Sequence, residues 1–568
     1  MPRNFLAKAE VLIIVLLACV PLFIHLPYRV NIFLSWEGAY RISEGQLPFR
    51  DFGIPLGGMY WVVPALFFKI FGAKLITLIK AQVFINIVAG LSFRSILKSL
   101  SVNKGIRFGS VLLFCISYSF FNFWPWYNHS VIVYELVALA FLFRYISGYT
   151  SGVDVGKPGR WHGAGWLIAS AVFVCFSFFT KQDGGGMTFF IVSALLACHC
   201  YLEKRWIPLV VFAGSFAVVC MMLILPFSRV GFGYWFNHGQ PPHTARISAF
   251  DIAEEFFGAS QWIKFYFFLT LALAVACYRS RVAFLADKKA LLMLILTWAI
   301  LGEASVFQVT SYTPPDNNIF FHSFAFACIF SLLSSLVPVN FERPRMVVIV
   351  AAGIMLWWSG TWWKYTQRVF ARVLPHQEVA RSATGENVVN RSTYMTGRDT
   401  GNTAKDIPMD QWVECGLPSF QHIVMPAPTA DGIHRLLDMD LIKKYREDRK
   451  AGNGGMVNGH PGGLRVLNMS ELTPLAAEIP FDLERNPRLP LWYHLGVGMF
   501  NRQADTLETR IREHYYDLIL FEYVPHLNNF YPFRVRDSLQ LHYRQVDSFM
   551  APRRGAETMG NIEVYTWK

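Results

Sequence analysis

The sequence predicts an α-helical polytopic membrane protein with about eleven transmembrane helices and a C-terminal α/β domain. Three observations lead there. Hydrophobic residues make up 53% of the 568 and charged residues only 16%, well below the quarter usual in soluble domains. Apolar runs of roughly 17 to 25 residues recur, each long enough to cross a ~30 Å hydrocarbon layer as a helix. After about residue 364 the runs stop and the chain turns polar.

The spans read as 10–27, 75–97, 107–123, 130–147, 164–180, 187–203, 206–226, 263–279, 289–305, 320–338 and 345–363. Arg3 and Lys8 precede the first, but no small-residue cleavage site follows it, so it reads as a retained helix rather than a signal peptide. Alternate connections then hold Lys98, Lys104 and Arg107; Lys157 and Arg160; Lys204 and Arg205; Arg279, Arg281, Lys288 and Lys289; and Arg343 and Arg345. By the positive-inside rule these are cytoplasmic loops. The net charge of +13 is spread over such loops rather than gathered in a groove-sized patch, so nucleic acid is not an expected partner. Gly58 to Gly72 is apolar but short and contains Pro64; it reads as a juxtamembrane or re-entrant helix. The N-terminus is then cytoplasmic and everything from Lys364 onward lies outside. This divides the chain into a membrane domain, 1–363, and an outer α/β domain, 364–568.

The outer loops carry the residues that can do chemistry. Glu37, Tyr40, Arg41 and Glu44 fall on one face if the first loop is helical. The same spacing suits a solvated amphipathic helix with an internal Glu–Arg pair. Gly45-Gln46-Leu47-Pro48 stops that helix, and Phe49-Arg50-Asp51-Phe52-Gly53 with Pro55-Leu56-Gly57-Gly58 turns the chain back. This stretch, EGAYxxxxGQLPFRDFGxPLGG, resembles the first periplasmic loop of bacterial GT-C glycosyltransferases, the multi-pass enzymes related to protein O-mannosyltransferases and lipid A aminoarabinose transferases. Thr180-Lys181-Gln182 before Gly184, Gly185 and Gly186 is similar to a TKQ-G pattern of that family. The resemblance covers roughly residues 1 to 365.

It implies a GT-C-like membrane domain in a bacterial inner membrane, with the C-terminal domain periplasmic. It also implies transfer of a sugar from a polyprenyl-phosphate donor to an extracytoplasmic glycan, lipid or protein acceptor. The family usually opens this loop with an acidic residue, often an Asp-Glu pair, whereas Ser35-Trp36-Glu37 offers one carboxylate; whether Glu37 stands for the Asp or for its neighbour stays open. A carboxylate in reach of the acceptor hydroxyl acts as general base, which makes Glu37 the candidate. The departing lipid phosphate needs cations, and arginine binds phosphate oxygens in a fork; Lys181, Arg229, Arg246 and Arg50 are the candidates. For sugar and acceptor the candidates are Tyr40, Asp51, Gln182 and Asp183. A further set lies in SRVGFGYWFNHGQPPHTARIS, where Tyr234 and Trp235 stand beside His238 and His243, and Asn317 and Asn318 follow in a later loop. The aromatic residues equally suit an interfacial belt. Glu135, Glu303 and His322 are ionisable residues inside or at the edge of spans, functional by default but also explained by helix–helix hydrogen bonds.

Strands are expected at 422–425, 464–469, 516–522 and 561–568, with a helix over 470–479. Asp438-Met439-Asp440 has the spacing of a metal-binding DxD but lies in an expected helix on the side where nucleotide sugars are not supplied. Cys198-His199-Cys200 lacks a second ligand pair at zinc-site spacing. No cofactor is assigned, and a divalent cation stays open. Two other readings remain: a multi-pass transporter or flippase, for which no internal repeat is found, and a catalytically inactive scaffold.

Overall fold

The computed structural model describes residues 5–28, 32–121, 123–150, 163–230, 249–278, 280–311, 319–373, 407, 412–450, 456–457, 460–461, 463–479, 481–495, 498–552 and 559–568. Helices occupy the predicted spans, although over 10–27 the α-helix ends at Ala18, a 3-10 turn covers Val20–Phe23 and Leu26–Pro27 is a strand. The helices are α1 (Phe5–Ala18), α4 (Leu75–Ser99), α5 (Lys104–Phe121), α6 (Tyr127–Thr150), α7 (Ala164–Phe178), α8 (Gln182–Glu203), α9 (Ile207–Ile224), α11 (Gln261–Cys277), α13 (Lys288–Ser311), α14 (Ile319–Leu336) and α15 (Pro344–Trp357). Between them lie α2 (Ile32–Ser43), α3 (Val62–Phe71), α10 (Ala249–Glu254) and α12 (Arg281–Ala286), and α16 (Ser359–Val373) follows the last.

Among the described residues, five helices are long and apolar enough to cross a membrane, and up to seven if two bent pairs each count as one span. The span expected over 345–363 is one of those pairs, broken at Trp358 with a bend of 65°. The other places α11 at 79° to the helical segment Ala249–Ala259. The segment at 59–71 is a short apolar helix, as expected. Its Val62, Leu66, Ile70 and Phe71 are exposed, a spacing that puts them along one side.

The basic loops converge at one end of the bundle. Lys289 Nζ donates to Ser101 Oγ (2.6 Å), Lys288 pairs with Glu203 (2.5 Å), and Asn103 Nδ2 donates to Glu342 Oε1 (3.2 Å). At the same end Glu10 of α1 is fully buried and accepts from Arg94 of α4 (2.6 Å) and Arg107 of α5 (2.9 Å).

The C-terminal part contains β3 (Val413–Glu414), β4 (Ile423–Met425), β5 (Met456–Val457), β6 (His460–Pro461), β7 (Val466–Met469), β8 (Asn486–Pro490), β9 (Leu518–Tyr523), β10 (Tyr543–Met550) and β11 (Asn561–Trp567). Four of these form a sheet of order β10-β11-β9-β7, antiparallel except for β7 against β9. Strand β9 alternates its side chains between two cores: Leu518 and Leu520 face one, Ile519 and Phe521 the other. That is the period of two expected of a strand covered on both faces.

Two expectations fail here. Over 470–479 only Leu475–Glu478 is helical, because Pro474 can enter only the first turn. Asp438-Met439-Asp440 spans the junction of two helices, Ala427–Leu437 and Asp440–Lys450, with Asp440 opening the second, rather than lying inside one.

Two small sheets join the beginning and the end of the chain. Strand β1 (Leu26–Pro27) runs parallel to β4, and β2 (Phe52–Gly53) runs parallel to β8. One apolar core contains Trp36, Ile54 and Trp61 together with Ile423, Leu472 and Leu491. The loops at this end of the helical bundle and the C-terminal part therefore pack as one body.

Candidate active site

Helix α2 opens with Ile32, Phe33 and Leu34, all buried in that shared core. One turn on, Glu37 and Arg41 are i,i+4 neighbours and face each other. Arg41 gives both Nε (2.9 Å) and Nη2 (2.8 Å) to the same oxygen, Glu37 Oε1, and no hydrogen bond reaches Glu37 Oε2 among the described residues. The remaining Arg41 nitrogen, Nη1, donates to Gln46 Oε1 (3.0 Å) and to the Glu484 carbonyl (3.1 Å). The C-terminal part thus covers a face that spacing alone would leave in water: the side chains of Glu37 and Arg41 are only 13% and 12% exposed.

Burial pushes the Glu37 carboxyl above its ordinary pKa, and the Arg41 charge and hydrogen bonds pull it only part of the way back. Tyr493 is half-buried near the pair, and its phenol is held well above the usual range, first by desolvation and then by the Glu37 charge. Tyr40 stacks on Trp36 with ring centroids 4.6 Å apart and donates to the Ala476 carbonyl (3.4 Å).

The two glycine-containing motifs singled out in the sequence meet. Gly57 N–H donates to the Thr180 carbonyl (3.2 Å) and Met59 N–H to the Phe179 carbonyl (3.3 Å), so the Pro55–Gly58 turn docks on the end of α7 just ahead of Lys181. A Cβ on Gly57 would lie 1.6 Å from the Phe179 carbonyl oxygen, and one on Gly38 would lie 2.0 Å from the Trp61 indole. These close approaches tie α2, the turn and α7 together. Trp61 is fully buried and its indole N–H donates to the Leu34 carbonyl (2.9 Å). Gly57→Ala should therefore destabilise the protein by about 3 kcal/mol, the upper end for overpacking, because the obstacle is backbone and cannot rotate away. Thermal unfolding of the purified variant measures this; an unchanged midpoint would refute the docking.

Lys181 is buried. Its ammonium pairs with Asp183 (2.8 Å) and lies 5.0 Å from the centre of the Phe307 ring. Gln182 begins α8 beside it. Arg50 is 43% exposed and pairs with the nearly buried Asp51 at 2.6 Å. Burial raises the Asp51 carboxyl, but the Arg50 hydrogen bond, the Leu47 N–H and the Arg50 and Arg485 charges outweigh it, so its pKa is lowered. Arg229 is exposed just beyond α9. His322 shares a hydrogen bond with the Tyr266 hydroxyl (3.0 Å) and packs on Trp262, a helix–helix contact that accounts for it. Tyr234, Trp235, His238, His243, Arg246, Asn317 and Asn318 lie outside the described residues. No group of three or more His, Cys, Asp or Glu able to hold a metal ion occurs among the described residues.

The geometry adds residues that the first-loop motif alone does not reveal: Gln46, Glu484 and Tyr493 around Glu37, with Arg510 and Tyr516 bonded to Glu484. Gln46 belongs to the quoted motif. The others carry no local signal, being more than four hundred residues away in sequence.

No protein-family model matches the sequence, and no curated protein matches it. Among solved structures, the fold is similar to the oligosaccharyltransferase of Archaeoglobus fulgidus, solved with Zn and sulfate, at 10% identity and a TM-score of 0.40, over 94% of this chain and 71% of that one. It is also similar to ArnT from Cupriavidus metallidurans bound to undecaprenyl phosphate, at 11% identity and a TM-score of 0.41, over 99% of this chain and 98% of that one. Both are GT-C glycosyltransferases.

Proposed function

We propose that this chain transfers a sugar from a polyprenyl-phosphate donor to an acceptor hydroxyl at the non-cytoplasmic surface of a bacterial inner membrane, with Glu37 as general base. The observation that carries the reading is the Glu37–Arg41 pair: a sheltered carboxylate with one oxygen fixed and the other free. It stands in a motif that docks through Gly57 onto the residues before Lys181. In this scheme Oε2 takes the proton of the acceptor hydroxyl as its oxygen attacks the anomeric carbon. The bond from that carbon to the phosphate oxygen breaks, and the lipid phosphate leaves as an anion. Lys181 would exchange Asp183 for the phosphate, and the exposed Arg229 and Arg50, with Arg246, would approach it from the surface. Tyr40, Asp51, Gln182 and Asp183 would bound the sugar, with Tyr234, Trp235, His238, His243, Asn317 and Asn318 completing the acceptor side. Glycan, lipid or protein acceptors all fit this chemistry, and a divalent cation is compatible with it.

The test is transfer of a labelled sugar from a synthetic polyprenyl-phosphate donor by the full chain in lipid nanodiscs, beside mass spectrometry of envelope glycans from a deletion strain. Loss of one glycan species in the strain and transfer in vitro support the proposal; substrate accumulation in sealed vesicles without product would favour transport.

The pH profile gives a second check. A base must be ionised, and the Glu37 carboxyl titrates above its ordinary value, so the rate should fall with acidification through a pKa higher than that of a free glutamate. Arg41 lowers that pKa. Arg41→Met should therefore move the acidic limb of kcat/KM to higher pH; a limb that stays in place would exclude Glu37 as its source.

A further inference from the structure

Behind Lys181 the membrane domain holds a second polar cluster that the transfer scheme does not use. Glu135 lies on α6, eight residues from its Tyr127 end, and Glu303 lies on α13, eight residues before Ser311. At 1.5 Å per residue each is roughly 12 Å along its helix from the outer end. Both helices pack against α8, which brings the two carboxyl groups within hydrogen-bonding reach of each other. Glu135 is 1% and Glu303 0% exposed. All four of their oxygens, and Oδ1 of Asp183, are buried and make no hydrogen bond of good geometry among the described residues; the Thr188 hydroxyl lies near Glu135, and the Thr310 hydroxyl and Gly184 N–H near Asp183. The titratable groups acting on Glu303 are Glu135 from α6 and Asp183 and Lys181 from the start of α8.

Fully ionised, this region would enclose three carboxylates against one ammonium. An uncompensated buried charge is strongly unfavourable, and two carboxylates in contact repel each other. A proton placed between Glu135 and Glu303 removes both costs: it cancels one charge and converts one acceptor into an O–H donor to the other. We propose that Glu135 and Glu303 form a buried proton-sharing site that holds at least one proton at neutral pH and positions the Lys181–Asp183 pair above it. The positioning role rests on the reading of Lys181 as phosphate ligand; the proton site does not.

Infrared spectroscopy of the full chain in nanodiscs tests the site without reference to transfer. Wild type at neutral pH should show a carboxylic-acid C=O band that shifts in D₂O and is lost in the Glu135→Gln/Glu303→Gln double variant. Each single Gln variant should fold as wild type does and lose the same band, because its amide N–H replaces the shared proton as donor to the remaining carboxylate. A wild-type-minus-double-variant spectrum with only ionised-carboxylate bands would overturn the proposal. So would one equivalent of metal retained by wild type and lost by the double variant. If the band behaves as expected, a raised KM for the lipid donor at unchanged kcat in the double variant supports positioning. Unchanged KM and kcat would remove the positioning role while leaving the proton site intact.

Discussion

Glu37→Gln should lower sugar transfer by roughly 10²- to 10⁴-fold, the range that a positioned general base contributes, without loss of folded protein. The amide oxygen can still accept from Arg41 in place of Oε1, so the packing between α2 and the C-terminal part survives. What disappears is the free basic oxygen. Donor binding should be nearly unchanged, because the groups assigned to the phosphate lie elsewhere, so the loss should appear in kcat rather than KM. A variant that turns over at the wild-type rate would remove Glu37 from the mechanism. Wild-type protein with no transfer at all would instead favour the inactive scaffold.

The largest stability effect is expected at the opposite end of the bundle. Glu10 is the acidic partner of two arginines, Arg94 and Arg107, whose side chains are 19% and 8% exposed. Arg94 is further tied to α1 through the Ala7 carbonyl (3.3 Å). Glu10→Ala leaves two sheltered guanidinium groups facing each other across three helices, and breaking a buried pair in this way costs about 3 to 5 kcal/mol. Arg94→Ala should cost less, because Arg107 still compensates Glu10. Denaturant unfolding in detergent would rank the two; equal stability of Glu10→Ala and wild type would show that the triad contributes nothing. The change should leave kcat untouched in whatever protein folds, which separates it from Glu37→Gln.

The helices of the membrane domain were legible from their apolar runs, although only five of those described, or seven with the bent pairs, are long and apolar enough to cross by themselves. Their bends were not: the break at Trp358 has no proline, and its local signal is the weaker Ser359-Gly360 pair that follows. The Glu37–Arg41 pair was legible as an i,i+4 spacing, whereas its burial was not, because the covering groups arrive from Glu484 and Tyr493. Glu10 falls at the edge of the first apolar run and reads there as a polar flank. Only its partners, 84 and 97 residues later, reveal a buried triad. Glu135 and Glu303 were visible as charges within spans, but sequence could not say that they face each other rather than separate neighbours.

Pairing of β1 with β4 and of β2 with β8 has a consequence for biogenesis. The ribosome makes Leu26 and Phe52 roughly 400 residues before their hydrogen-bonding partners, a separation that slows closure, so the nascent amino-terminal segments must wait through insertion of the whole bundle. Truncation before Ile423 would leave two orphan strand edges beside the bilayer. Quality-control proteases would meet the membrane half of such a product as unfinished chain, so its survival should depend on synthesis of the last residues.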